Sequence, residues 1–183
     1  STRGDLNFLR EQGWDIDLYA HYRRGGHILG LCGGYQMLGK QIDDPDGLDG
    51  PAGRTEGLGL LDVKTEMLPE KTLRKITAIH RDSSLVVEGY EIHLGRTTGE
   101  DCKQPFAYLD KEPEGACSKD GRISGSYLHG LFCSDGFRSA FLENLGVPGG
   151  DLKYEKNLDD VLNELAKHIE DQLDVDALLE VAK

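Results

Sequence analysis

The sequence lacks three features: a Cys-x-x-Cys pair, a long apolar run and an excess of basic residues. Its four cysteines are widely separated, which excludes a zinc knuckle and a thioredoxin-type redox motif. No apolar run is long enough to span a membrane, and residues 1–5 lack the layout of a secretion signal. The formal net charge of -12 argues against nucleic acid or an anionic membrane surface as a partner. We therefore expect a cytoplasmic protein that binds neither.

Composition is typical of one soluble α/β domain. The chain has 183 residues, of which 38% are hydrophobic, and its 24 glycines suit many tight turns. Apolar spacing predicts two helices over residues 1–22 with a kink near Gly13, followed by a buried, central parallel strand over residues 27–31. Further strands are predicted over residues 58–65, 73–79, 85–93, 106–109, 115–117 and 123–128, and further helices after Ser134, Asn157 and Asp174.

One cysteine lies in a pattern that indicates chemistry. Cys32 follows the predicted strand within residues 30–34 (GLCGG) and precedes a helix start. Such a turn projects its side chain, and the helix N-terminus favours a thiolate while the N–H of Gly33 can bind a developing oxyanion. The alternative is a small buried thiol, the usual fate of an isolated cysteine, but an inert core position does not need three neighbouring glycines. Cys32 is therefore a candidate nucleophile for acyl transfer.

A cysteine nucleophile needs a base, and two of the six histidines are placed for that role. His129 follows a predicted strand, at the kind of strand end where α/β sheets gather active sites. His93 lies near another strand end and shares a face with Glu91 at period two. Structural roles are as common as catalysis for either, so the residues alone leave the choice open.

Five segments of the sequence together resemble one known family, at residues 2–6, 30–39, 56–61, 89–95 and 127–132. Residues 30–36 match the Gly-x-Cys-x-Gly-x-Gln signature of class I (triad-type) glutamine amidotransferases, and residues 32–39 (CGGYQMLG) resemble the cobyric acid synthase branch. Residues 2–6 (TRGDL), 56–61 (EGLGLL), 89–95 (GYEIHLG) and 127–132 (YLHGLF) look like further blocks of that branch, in the same order. The resemblance covers nearly the whole chain.

The resemblance implies a flavodoxin-like fold with a mixed, largely parallel sheet flanked by helices. It implies glutamine hydrolysis, with Cys32 as nucleophile, His129 as general base and Gly33 as an oxyanion donor. Gln36, Tyr90 and His93 would line the glutamine pocket, and no metal would be bound. Most class I enzymes follow the catalytic histidine with Pro-Glu, whereas this chain has Gly130 and Leu131 there. We assign Glu91 as the substitute that orients the imidazole.

The resemblance also implies partners. Residues 1–183 would be the C-terminal portion of the amidotransferase domain, without its first strands, one oxyanion donor and the synthetase domain. No cofactor is expected in this domain; ATP and Mg are expected on the synthetase domain. Ammonia would pass there to amidate side-chain carboxylates of adenosylcobyrinic acid a,c-diamide, giving cobyric acid in cobalamin biosynthesis. The net charge of -12 suggests that this polycarboxylate corrinoid binds mainly on the synthetase domain.

Three alternatives remain at this stage. Cobyrinic acid a,c-diamide synthase and the amidotransferase subunit that amidates a cell-wall lipid precursor share the Cys-Gly-Gly turn. A non-catalytic docking module would agree with the missing glutamate after His129. Retention of both Cys32 and His129 argues against that last alternative, since docking requires neither.

Overall fold

The computed structural model describes residues 1–182, beginning with two helices. The first, α1 (Thr2–Glu11), starts at Ser1, whose hydroxyl oxygen accepts a hydrogen bond from the N–H of Gly4. The second, α2 (Trp14–Arg23), follows Gly13, which has a positive φ of 75°. Glycine adopts this conformation without steric cost. The predicted pair of helices with a break at Gly13 is confirmed.

The strands follow the predicted order with some changes of length. The segments predicted at residues 58–65 and 73–79 contribute to one long strand, because a single register irregularity between Glu66 and Lys71 keeps both parts paired with the same neighbour. The helix predicted from Asn157 begins three residues earlier, at Tyr154. The remaining elements are β1 (Ile28–Leu31), α3 (Gly33–Leu38), β2 (Gln41–Asp44), β3 (Gly53–Glu56), β4 (Val63–His80), β5 (Val86–Gly99), β6 (Ala107–Leu109), β7 (Glu112–Glu114), β8 (Ala116–Cys117), β9 (Ile123–Ser126), β10 (Leu128–His129), α4 (Asp135–Asn144), α5 (Tyr154–Gln172) and α6 (Val175–Val181).

These strands form two sheets. The first has the order β1-β9-β8, and the second contains β10-β5-β4-β2-β3 with β6 and β7 attached through β4. The predicted mixed sheet flanked by helices is confirmed. Parallel pairing within residues 1–182 is limited to β1 with β9 and β2 with β4, so the expected predominance of parallel strands is wrong. Short connections such as the one between β4 and β5 permit only antiparallel neighbours, whereas parallel strands need long crossovers.

The strand before Cys32 has one neighbour among the described residues. β1 pairs with β9 alone, so its predicted central position is not observed in residues 1–182. Helix α3 covers one face, and it approaches so closely that a Cβ on Gly30 would lie 2.7 Å from the backbone of Gly34. On the other face, Leu29 and Leu31 line a cleft of about 720 Å³. The apolar run is therefore covered by α3 on one face, whereas its other face borders a cleft in which Leu31 is exposed.

Two apolar clusters support the sheets. One joins α1, α3 and the first half of β4 and includes Leu6, Tyr35 and Ile42. The other lies between the second half of β4, β6 and α4 and includes Phe106 and Phe137. Helices α5 and α6 have no buried residues within the described chain. No helix of residues 1–182 combines the length and hydropathy needed to cross a membrane.

A buried ion pair joins α1 to the loop after β2. The fully buried carboxylate of Asp44 accepts hydrogen bonds from the N–H groups of Leu48 and Asp49 and lies 3.4 Å from a guanidinium nitrogen of Arg3. Burial raises the pKa of Asp44, but these N–H donors and Arg3 outweigh burial and lower it overall. Asp44 therefore stabilises the fold above about pH 4, and this contribution is lost as the pH falls through the lowered pKa.

We expect Asp44→Asn to lower the free energy of unfolding by about 3 kcal/mol, because it removes the charge that faces Arg3 and replaces one of the two buried acceptor oxygens by a donor. Asp43→Asn is the matched control, since Asp43 pairs with Arg54 at the surface and should cost less than about 1 kcal/mol. Urea unfolding at pH 7 measures both. Equal losses for the two variants would contradict the assigned role of Asp44.

Candidate active site

Cys32 lies on a strained turn between β1 and α3. Its φ of 52° and ψ of -113° are unusual for a residue with a side chain. The backbone is held by two hydrogen bonds, from the Cys32 N–H to the Ser126 carbonyl at 2.8 Å and from the Gln36 N–H to the Cys32 carbonyl at 3.2 Å. A Cβ on Gly34 would meet nothing within 4 Å, so the space beside the turn is open. The predicted strand, turn and helix around Cys32 are confirmed.

The Cys32 thiol is half-buried and points toward β5. Its Sγ–H donates to the carbonyl oxygen of Ile92 at 3.3 Å. Burial raises the pKa of Cys32, and a hydrogen bond from the Gly33 N–H opposes this rise. The same N–H could stabilise negative charge close to the sulfur. Because the pKa is raised overall, the resting group is the thiol, which needs a base to become a nucleophile.

His129 reaches the same place from the second sheet. It lies in β10, which pairs antiparallel with β5 so that His129 is opposite Tyr90. A Cβ on Gly89 would lie 2.0 Å from the His129 carbonyl oxygen, so the close approach of these strands requires glycine there. The His129 Nε2–H donates to the carbonyl oxygen of Ile92 at 3.3 Å. This contact leaves Nδ1 as the unprotonated nitrogen in the neutral ring.

The Ile92 carbonyl therefore brings together the candidate nucleophile and base. Sγ of Cys32 and Nε2 of His129 each lie 3.3 Å from this one oxygen. No hydrogen bond of the described residues joins the thiol directly to the imidazole. If the ring proton moves to Nδ1, Nε2 becomes an acceptor to which the thiol can donate once it turns from the Ile92 carbonyl. The arrangement can thus activate a cysteine for attack on a carbonyl carbon.

Glu91 is not the orienting group that we predicted for His129. Across the antiparallel pair Glu91 is opposite Leu128, so its side chain lies on the other face of the sheet from His129. Its carboxylate accepts from Arg74 Nε at 2.6 Å and contacts His93 Nε2 at 3.1 Å. The hydrogen bonds of residues 1–182 include none between Glu91 and His129. The positions of Glu91 and His129 on opposite faces follow from the register in which β10, a strand of two residues, pairs with β5.

The other predicted pocket residues occupy different environments. Gln36 is 3% exposed, and its amide donates to the Leu94 carbonyl and the Tyr127 hydroxyl, so its contact with substrate stays a prediction. The His93 ring stacks on Tyr127 with 3.9 Å between ring centroids. Tyr90 is half-exposed, on the strand face shared with His129.

Two of the three remaining cysteines make side-chain contacts away from the site. Cys102 contacts the Tyr35 hydroxyl, and Cys117 contacts the Pro105 carbonyl. The 720 Å³ cleft beside β1 does not include Cys32 or His129 in its lining. Geometry rather than cavity size therefore identifies the site.

Two parts of the site were missed from the sequence. One is the Ile92 carbonyl, a backbone atom that no residue type reveals. The other is Glu114, which is buried beside the chain segment leading to His129. The surrounding Glu-Pro-Glu-Gly segment shows neither helical nor strand periodicity in its apolar residues. The one available signal was an acidic residue directly before a glycine that is typical of turns.

The fold and the site define a class. An α/β domain that holds a cysteine on a strand-to-helix turn, with a histidine beside it, has the features of a triad-type glutamine amidotransferase domain. Residues 1–137 match the family of CobB/CobQ-like glutamine amidotransferase domains. The chain belongs to this family.

The similar curated proteins share one name. Cobyric acid synthase of Bradyrhizobium diazoefficiens is 62% identical over 183 residues, and that of Cereibacter sphaeroides is 58% identical, each match covering 100% of this chain. The chain spans 38% of the length of both relatives. The solved structure of PurLQS from Thermotoga maritima aligns with 82% of this chain and 68% of its own at 15% identity, with a TM-score of 0.46, a likeness too distant to carry an argument.

Proposed function

We propose that this chain hydrolyses glutamine and supplies ammonia for the amidation of a corrinoid. The observation that carries the proposal is the convergence of Cys32 Sγ and His129 Nε2 on the Ile92 carbonyl, in a chain of the glutamine amidotransferase family. The relatives named cobyric acid synthase support adenosylcobyrinic acid a,c-diamide as the molecule that is amidated. The four free thiols suit the reducing cytoplasm, where we place the reaction.

The proposed reaction begins with transfer of the Cys32 proton to His129. The sulfur then attacks the side-chain amide carbon of glutamine, and the N–H of Gly33 stabilises the oxyanion. His129 returns the proton to the leaving nitrogen, so that ammonia departs and a γ-glutamyl thioester remains on Cys32. Water attacks the thioester, His129 takes one proton from it, and glutamate leaves as the thiol is restored.

The ammonia would then replace an activated carboxylate oxygen on the corrinoid. We propose that a synthetase domain performs this step with ATP and Mg, and that the polycarboxylate corrinoid binds mainly there. The formal net charge of -12 supports this division, because a surface of that charge repels carboxylates.

The test uses full-length protein with ATP, Mg, and either glutamine or an ammonium salt as nitrogen donor. We expect amidation of adenosylcobyrinic acid a,c-diamide with both donors, and we expect Cys32→Ser to eliminate only the glutamine-dependent reaction. Activity on cobyrinic acid or on a cell-wall lipid precursor instead would assign one of the alternative enzymes. Unchanged glutamine-dependent amidation by the Cys32→Ser variant would point to a docking module and refute glutamine hydrolysis at this site.

A further inference from the structure

The proposed nucleophile and base belong to different sheets. Cys32 follows β1 of the first sheet, whereas His129 lies in β10 of the second. The chain passes from β9 to β10 through a single residue, Tyr127. The separation of the thiol and the imidazole therefore depends on how the chain is held at this crossing.

Glu114 binds the crossing directly. Its side chain accepts a hydrogen bond from the Ser126 hydroxyl at 2.8 Å and another from the Tyr127 N–H at 2.6 Å. Only 8% of the residue is exposed. Glu114 ends β7 in the second sheet, and Gly115 leads into β8 in the first, so Glu114 itself lies at a crossing. One carboxylate thus connects two crossings between the sheets.

The Ser126–Tyr127 segment, which Glu114 holds, is also hydrogen-bonded to the chain at or next to both catalytic candidates. The Ser126 carbonyl accepts the N–H of Cys32 at 2.8 Å. The Ser126 hydroxyl oxygen accepts the N–H of Leu128 at 3.1 Å, and Leu128 directly precedes His129. A shift of Ser126 and Tyr127 would therefore move the thiol turn and the imidazole relative to each other.

We propose that Glu114 is a positioning residue for the Cys32–His129 pair, which it aligns by holding the Ser126–Tyr127 peptide between the two sheets. The proposal rests on the proposed glutamine hydrolysis. It gives Glu114 no contact with substrate, because both of its hydrogen bonds are to the protein. Misplacement of reacting groups by about 1 Å can cost about 100-fold in rate, so alignment alone gives a measurable effect.

The ionisation of Glu114 agrees with this role. Burial raises its pKa to about 7, against the hydrogen bonds from Tyr127 and Ser126, and nearby Glu91 raises it further. The other titratable groups around Glu114 are Tyr35 on α3, Glu70 on β4, His93 and Arg96 on β5, Cys102 before β6, Cys117 on β8 and Tyr127 at the crossing. Both forms can hold the crossing, because the carboxylate accepts both hydrogen bonds, whereas the protonated group accepts from Tyr127 and can donate to the Ser126 hydroxyl oxygen.

Protonation of Glu114 changes the stability of the fold separately from the effect of Glu114 on the alignment of Cys32 and His129. Because the folded pKa is raised, the stabilising contribution is present below about pH 4.5 and is lost as the pH rises through about 7. At pH 8 the ionised Glu114 therefore costs the fold stability.

The test compares Glu114→Ala and Glu114→Gln in the full-length protein, with Glu112→Gln, an exposed acid on the same strand, as control. At pH 8 we expect Glu114→Ala to lower kcat for glutamine hydrolysis by about 10- to 100-fold while KM changes less than about threefold. Glu114→Gln should restore most of kcat, because an amide oxygen can accept from Tyr127 and its NH2 group can donate to Ser126. Its melting temperature at pH 8 should not fall below that of the unchanged protein.

Ser126→Ala keeps the test decisive if Glu114→Ala does not fold, because it removes the hydroxyl that donates to Glu114 and accepts from Leu128. We expect Ser126→Ala to lower kcat at pH 8 by about 10-fold while KM changes less than about threefold. A normal kcat in a folded Glu114→Ala or Ser126→Ala variant, or equal impairment of Glu114→Ala and Glu114→Gln, would overturn the proposal. If the unchanged protein hydrolyses no glutamine, the proposed function fails first; if it does and the variants match it, only the role of Glu114 fails.

Discussion

Cys32→Ser is expected to lower the rate of glutamine hydrolysis by at least about 10⁴-fold. Removal of the nucleophile from a catalytic group that acts as a unit typically costs about 10⁴ to 10⁶ in kcat. A serine hydroxyl at this position is far less acidic than the thiol. Steady-state release of glutamate measures the loss.

Cys133→Ser is the matched control for that substitution. Cys133 is also a free, half-buried thiol, and it lies in the short helix after His129, so it tests the general effect of losing a sulfur. We expect activity within about twofold of the unchanged protein, because serine is close to cysteine in size and Cys133 is not one of the candidate site residues. A comparable loss in both variants would reject Cys32 as the specific nucleophile.

Thiol acidity alone does not distinguish Cys32 from its neighbours. Burial raises the pKa of Cys32, Cys102 and Cys117 alike. Selectivity must therefore come from His129 and from recognition of glutamine, and a simple alkylating reagent is a poor probe of it. An electrophilic glutamine analogue is expected to label Cys32 first, as peptide mass spectrometry can show.

The local parts of the site were predictable because short-range patterns determine them. The turn at Cys32 needs small neighbours, a feature that is visible in the sequence, and the strand before it carries an apolar run. The hairpin between β8 and β9 has Gly121 at a positive φ of 71°, a conformation that glycine adopts without steric cost. In these segments the backbone conformation that is required and the residue type that can adopt it lie close together in the chain.

The relations between distant segments were not predictable. The shared period of Glu91 and His93 was visible, and the contact between their side chains agrees with it. Their relation to His129 depends on the pairing of β10 with β5, and a shift of one residue exchanges the faces of a strand. Neither the Ile92 carbonyl nor the sheet crossing at Tyr127 has a residue signature. The sequence therefore predicted the nucleophile turn more reliably than its partners.

The choice of base can be tested by a pair of histidine substitutions. His129→Gln is expected to lower kcat by about 10³-fold, since general-base catalysis typically contributes about 10² to 10⁴. The glutamine amide can still donate to the Ile92 carbonyl, so the strand pairing around residue 129 should survive while the base is lost. Glutamate release at pH 8 and thermal unfolding separate the two effects.

His93→Gln is the matched control, because His93 lies near the same part of β5 but faces Glu91, Gly95 and Tyr127. Both of its ring nitrogens are engaged by other groups, Nδ1 by the Gly95 carbonyl and Nε2 by the Glu91 carboxylate, rather than by the thiol. We therefore expect a change in KM for glutamine and a loss of kcat below about tenfold. A loss of kcat as large as that of His129→Gln would assign the base to His93 and would require a rotation of its ring away from Glu91.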